Sequence, residues 1–167
     1  MALYRVKQFV WAAGSYFKKI DTEFINKYLD EDEKKLFNRL KHNEKHHSIR
    51  VCKDAIDICK NKKISLNTNR IAKAALLHDV GKGEFGLNIV EKSTLVLLNS
   101  LTKGRIKKYD NIKQIDIYYN HAQKGADILK EFKTYDQEFL DSIRYHHSNK
   151  KISNELLDII RESDNKN

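Results

Sequence analysis

Proline is absent from this chain of 167 residues, and glycine occurs only six times. With so few breakers, long helices joined by short loops are favoured. Cysteine is nearly absent too, with only Cys52 and Cys59 present. They stand two turns apart on one expected helix. That spacing suits neither a zinc knuckle nor a disulfide between neighbouring elements. It reads as two small core residues in a reducing compartment. Long hydrophobic runs are also missing. The most apolar stretch, Leu95 to Leu98, is far too short to span a bilayer. The N-terminus mixes Arg5, Lys7, Lys18 and Lys19 with Val10, Trp11, Ala12 and Ala13. It shows no long apolar run and no obvious cleavage site, so a cytoplasmic protein without a membrane span is expected.

Apolar residues make up 40% of the chain, enough to fill one core, and 33% are charged. No linker, repeat or low-complexity tract divides it. The expected organisation is one domain over 1–167, with N-terminal helices (1–42) packing on a core (43–167). The formal net charge is +9. Such a surface attracts phosphates, nucleic acids or acidic lipids. The lysines, however, are scattered without clustered aromatics, so no nucleic-acid partner is expected. An A/T-rich coding sequence would also produce this wealth of Lys, Asn and Ile.

The hydrophobic period is helical almost throughout, and no alternating strand pattern stands out. The expected class is all-α, a compact helical bundle. The first helix is placed over Leu3 to Phe17, amphipathic and carrying Trp11, suited to core or homodimer packing, with docking on a membrane surface as the alternative. Others start near Asp21 and near Asp30, where Asp30 and Glu33 have capping-box spacing. Asn43 is expected to cap a helix running to about Lys60, with Ile49, Cys52, Ile56 and Cys59 on its buried stripe. Asn67 or Thr68 starts the next, stopped by Gly81 after Ala74-Ala75-Leu76-Leu77-His78-Asp79. A loop follows over Gly81 to Gly86. Further helices are expected from about Asn88 to Leu101, Lys113 to Phe132, Asp136 to His147 and Ser153 to Ser163.

Seven histidines are present: 42, 46, 47, 78, 121, 146 and 147. A lone buried histidine usually finds a partner in the core. A set of them is different, because a metal ion can satisfy several imidazoles at once. The segments that carry them read His46-His47-Ser48-Ile49-Arg50-Val51, Leu77-His78-Asp79-Val80-Gly81-Lys82, Asn120-His121-Ala122 and Arg144-Tyr145-His146-His147. The chain closes with Arg161-Glu162-Ser163-Asp164.

This order, H…HD…H…HH…D, resembles the HD superfamily in its HDIG-type branch, over roughly Glu44 to Asp164. Only His42 and His46 stand outside the set. The resemblance implies a helical HD-domain bundle and a metal-dependent phosphohydrolase. It implies one ion held by His47, His78, Asp79 and Asp164, and a second held by Asp79, His121, His146 and His147. The expected cofactor is therefore a divalent transition metal, two ions, iron or manganese first, with zinc, nickel or cobalt as alternatives. His47 is preferred to His46 because the family motif runs His-Ser-x-Arg-Val. The family pattern places a lysine where Lys82 stands, able to neutralise a substrate phosphate. Arg50, one turn from His47, is a second candidate for that role.

The residue types suit this chemistry. Neutral imidazole binds such ions well, and a carboxylate has two oxygens, so Asp79 can bridge two ions where a histidine cannot. Neighbouring residues on a helix diverge by about 100°. His78–Asp79 and His146–His147 can converge only if each pair lies at a helix end.

Within the family, the chain departs from several branches. After His147 stands Ser148-Asn149-Lys150-Lys151-Ile152, without the GYP loop of the cyclic-dinucleotide phosphodiesterases. No Glu-Asp pair follows the doublet, unlike the guanosine tetraphosphate hydrolases. The small hydrolases of dinucleoside polyphosphates are similar in size but show one histidine where this chain has two. Nor is Gly81-Lys82 a Walker A motif. The expected reaction is hydrolysis of a phosphoester or phosphoanhydride of a nucleotide or dinucleotide. The alternative is an HD-fold binding or signalling module without catalysis.

Overall fold

A computed structural model describes residues 18–87 and 89–167, together with Gly14. The expected helix over Leu3 to Phe17 lies outside the described residues apart from Gly14. The described chain forms eight α-helices and no strand, the all-α bundle that its periodicity implies.

Most helix starts follow local capping chemistry. Helix α1 (Thr22–Tyr28) begins at Asp21, whose side chain accepts from the Phe24 N–H. Helix α2 (Glu31–Asn38) opens on the capping box, with Asp30 and Glu33 bonding each other's backbone at 2.9 Å. Helix α3 (His42–Lys62) starts ahead of Asn43, with Lys41 at the cap and no side-chain bond there. Asn43 therefore lies inside the helix. Helix α3 ends on Lys63 in the left-handed region (φ 54°), where the Lys63 and Ile64 N–H groups close back on Lys60 and Cys59. Helix α4 (Thr68–Leu77) is capped by Asn67, which accepts from the Asn69 and Arg70 N–H groups.

The stretch expected as a loop is a 3₁₀ segment, Val80–Phe85. Helix α5 (Ile89–Leu101), a second 3₁₀ segment (Arg105–Tyr109) and helix α6 (Lys113–Phe132) follow. Helix α7 (Gln137–Arg144) is capped by Asp136 and helix α8 (Glu155–Asp164) by Asn154. Both are shorter than expected: α7 stops before His146, and α8 starts after Ser153.

Helix α4 is the centre of the bundle. Its Ile71, Ala72, Ala74, Ala75, Leu76 and Leu77 are all buried. It packs against α1, α2, α3, α7 and α8. A helix apolar on nearly every face belongs inside a core, and its alanines allow the partner helices to approach closely. The stripe Ile49, Cys52, Ile56 and Cys59 of α3 is buried as expected. Both cysteines are free, and burial pushes the Cys52 thiol up to about 12. A smaller apolar cluster joins α5, the second 3₁₀ segment and the start of α6 through Leu87, Leu95, Ile106, Ile115 and Ile117, with Tyr118 and Tyr119 against it. No helix of the described residues is long and apolar enough to cross a membrane.

Candidate metal centre

Each histidine–partner doublet falls where a helix ends. His78 is the C-cap of α4, and Asp79 leads into the 3₁₀ segment at φ −104°, ψ 7°. Tyr145, His146 and His147 form a turn beyond α7. Adjacent side chains there escape the helical divergence and point to the same place. His47 comes from α3, His121 from α6 and Asp164 from the last position of α8.

Glycine allows the 3₁₀ segment to meet α6. A Cβ on Gly81 would stand 1.9 Å from the His121 carbonyl oxygen and 2.5 Å from the Gly125 nitrogen. No side chain fits there. Gly81 is more than a helix stop: its bare backbone lets the Asp79 segment lie directly on the helix that carries His121.

The outcome is a cluster around Asp79, which is 1% exposed. Its Oδ2 lies 3.3 Å from His78 Nε2 and 3.7 Å from His47 Nε2. Its Oδ1 lies 3.3 Å from His121 Nε2 and 3.8 Å from His146 Nε2. The two oxygens thus face two different pairs of imidazoles. Asp164 Oδ1 lies 3.0 Å from His47 and 3.8 Å from His78. Its Oδ2 lies 3.6 Å from His147 Nδ1, so Asp164 faces both halves of the cluster, where the expectation placed it in one. His147 is half exposed, yet its ring stands 4.0 Å from that of His146 and 5.0 Å from that of His121.

Three histidines are held in one tautomer. Nδ1 of His78 bonds the Ala75 carbonyl at 2.8 Å, that of His121 the Ile117 carbonyl at 2.9 Å, and that of His146 the Ile143 carbonyl at 2.6 Å. A carbonyl only accepts, so each Nδ1 carries a proton and each Nε2 is the atom turned toward the cluster. Those Nε2 atoms and Asp79 Oδ1 are buried without any hydrogen-bond partner. Buried polar groups are rarely left so. A cation among them would satisfy all four, and the residues form sets that could hold one: Asp79, His121, His146 and His147; His47, His78 and Asp79; His78, His146 and Asp164.

Electrostatics fit the same use. Burial drives His146 well below its ordinary pKa and His147 down to about 4, leaving both neutral. His47 is lowered by burial as well. Burial also opposes the charge of His78, but Asp79 beside it outweighs that and raises it to about 8. Asp79 and Asp164 are held well below the carboxylate range; burial works against them, and the surrounding histidines and Lys82 prevail.

Lys82 is half-buried and bonded to Asp79 and, at 3.1 Å, to Glu44 Oε2. Burial resists its charge, while the two carboxylates keep it cationic. Glu44 was missed by the sequence reading. It sits one turn before His47 on α3, is 3% exposed, and helps to line the pocket. The available signal was that spacing, which puts both on one helix face. Arg50 is half-buried near Asp54 and Glu44 and is not among the residues lining the pocket. His46, with His42, bonds the Lys18 carbonyl, away from the cluster.

The cluster opens into a pocket of about 420 Å³. His47, His121, His147, Asp164, Glu44 and Lys82 line it. Leu87, Val96, Ile117, Tyr118 and Tyr119, with Lys92 and Asn99, line it as well.

Among comparisons with known proteins, the HD domain family model matches residues 45–165. Neither curated proteins nor solved structures return a match.

Proposed function

Because the chain belongs to the HD domain family, we propose that it is a metal-dependent phosphohydrolase with a two-ion centre, acting on a phosphoester or phosphoanhydride of a nucleotide or dinucleotide. The observation that carries the reading is the split of Asp79, whose two oxygens face separate imidazole pairs with unpartnered Nε2 atoms. In this reading His47, His78, Asp79 and Asp164 hold one divalent ion, and Asp79, His121, His146 and His147 hold the other. Bound ions of this kind supply Lewis-acid charge that acidifies water and offsets charge growing on phosphoryl oxygens.

The chain's own residues prepare the rest. Carbonyls of α4, α6 and α7 orient the imidazoles before anything binds, so no reorientation is needed. Lys82 contributes a fixed positive charge on the pocket wall, held in place by Glu44. It sits where a phosphate beside the centre would need it. The apolar wall of Leu87, Val96 and Ile117, with Tyr118 and Tyr119, covers the rest of a bound molecule and limits water.

The test has two parts. Protein purified anaerobically without chelators should carry up to two transition-metal ions per chain by elemental analysis. With manganese or iron added, it should hydrolyse at least one member of a panel of nucleotides, dinucleoside polyphosphates and cyclic dinucleotides. His121→Ala should lower the ion count from two to one and remove most turnover. A protein that takes up no ion at any concentration ends this reading.

A further inference from the structure

The His146–His147 pair stands on a turn rather than a helix, and the two imidazoles are not equally secured. His146 is anchored through Nδ1 to the Ile143 carbonyl. His147 has no such bond to a carbonyl; its Nδ1 faces Asp164 Oδ2 at 3.6 Å, and its side chain is 51% exposed. Its position therefore depends on the backbone of the turn.

That backbone is held from α8 by Arg161. Its Nη2 donates to the Tyr145 carbonyl at 3.0 Å, the Ser148 carbonyl at 2.5 Å and the Lys150 carbonyl at 3.0 Å. These carbonyls lie on both sides of the histidine pair. Carbonyls past a helix end lack intrahelical partners and carry partial negative charge. All three bonds come from one nitrogen, whose two N–H groups are shared among the carbonyls, and the permanent charge of the guanidinium strengthens them. The side chain is only 20% exposed. The turn's other backbone bonds are short-range ones, among them Tyr145 N–H to Asp141, Ser148 N–H to Tyr145 and Lys150 N–H to Ser148 Oγ. Arg161 also stands one turn before Asp164 on the same helix. One helix therefore delivers a carboxylate to the centre and, a turn earlier, the clamp on the pair opposite.

We propose that Arg161 is a positioning residue for the ion site built on His121, His146 and His147. By tying the carbonyls of Tyr145, Ser148 and Lys150 to α8, it fixes the distance from His147 to Asp164 and so sets the affinity of that site for a divalent transition cation. The proposal rests on the two-ion reading above.

The experiment titrates the full chain with cobalt(II) in chelator-free buffer, following calorimetry and the visible absorption of bound cobalt. Wild type, His147→Ala, Arg161→Ala, Arg161→Lys and the double variant Arg161→Ala/His147→Ala are compared, with thermal unfolding in chelator as the folding control. Groups that orient metal ligands typically contribute about 10–100-fold in affinity. Arg161→Ala should weaken one of two ions by about that factor and leave the other unchanged. Arg161→Lys, which keeps the charge on a shorter side chain, should fall between. Because Arg161 acts through the turn that carries His147, the double variant should lose little beyond His147→Ala alone.

Wild-type affinity for both ions in a folded Arg161→Ala protein overturns the proposal. So does equal weakening of both ions, which marks a general loss of fold. If Arg161→Ala fails to fold, Arg161→Lys carries the same comparison. Failure of the underlying reading shows separately: His147→Ala then titrates like wild type before any Arg161 variant is considered, and the proposal falls with it.

Discussion

Glu33 and Asp79 are both carboxylates buried in one helical bundle, at 0% and 1% exposure, and they are treated in opposite ways. Glu33 is fully matched. Lys73 donates to both oxygens at 2.7 Å, Tyr135 to Oε1 at 2.8 Å and the Asp30 N–H to Oε2 at 2.9 Å. Around Asp79, one carboxylate oxygen and three imidazole nitrogens have no hydrogen-bond partner. A buried charge is tolerated only when paired and hydrogen-bonded. The Glu33 network meets that condition with protein alone and ties α2 to α4 and to the segment before α7. The Asp79 cluster is left for something the chain does not supply. The difference teaches that burial of charge does not by itself mark a site; unsatisfied burial does.

The comparison can be broken most sharply at Asp79. Asp79→Ala should abolish turnover and most metal binding, a loss of several kcal/mol of transition-state stabilisation, while the helical circular dichroism signal stays. It should also remove the stabilisation that metal lends to the wild type, about 2.7 kcal/mol at a hundredfold excess over Kd. Turnover retained in this variant would make the doublet structural, like Glu33.

Glu33→Ala should do the reverse. It strands Lys73 and Tyr135 without their partner, so stability should drop by about 3–5 kcal/mol, read from the urea midpoint. The folded fraction should still bind metal as wild type does. A fall in metal count with unchanged stability would erase the distinction between the two regions.

Gly81→Ala sharpens the comparison from the packing side, with a smaller effect. Its Cβ overlaps the His121 carbonyl, so the 3₁₀ segment must move off α6. Overpacking of this kind is worth about 1–3 kcal/mol. Because the strain sits between Asp79 and His121, metal affinity should fall along with stability. Wild-type stability and affinity together would mean that this contact does not set the centre.

Much of this was legible in order and spacing. The ordered histidines and aspartates are the ones that gather around Asp79. Asp21, the Asp30–Glu33 box, Asn67 and Asp136 cap the helices they were expected to start, since capping is decided within four residues. Helix ends were read less well. The turn after Arg144 is held by Arg161 of α8, and the left-handed Lys63 closes α3 by bonds within its own end, yet no proline or glycine marks either.

What the sequence determined by itself was local or serial: helical periodicity, caps, the buried stripe of α3, and the set of ligand-type residues. These follow from side-chain chemistry and from spacing along one chain. Tertiary structure alone decided which groups meet across it. It placed Glu44 against Lys82, seated Gly81 on the backbone of α6, set Arg161 under the carbonyls around His146 and His147, and turned the two oxygens of Asp79 toward different histidines. Most of these join different elements of the fold, and a contact of that kind is fixed by the packing of whole helices against one another, which spacing along a single chain does not encode.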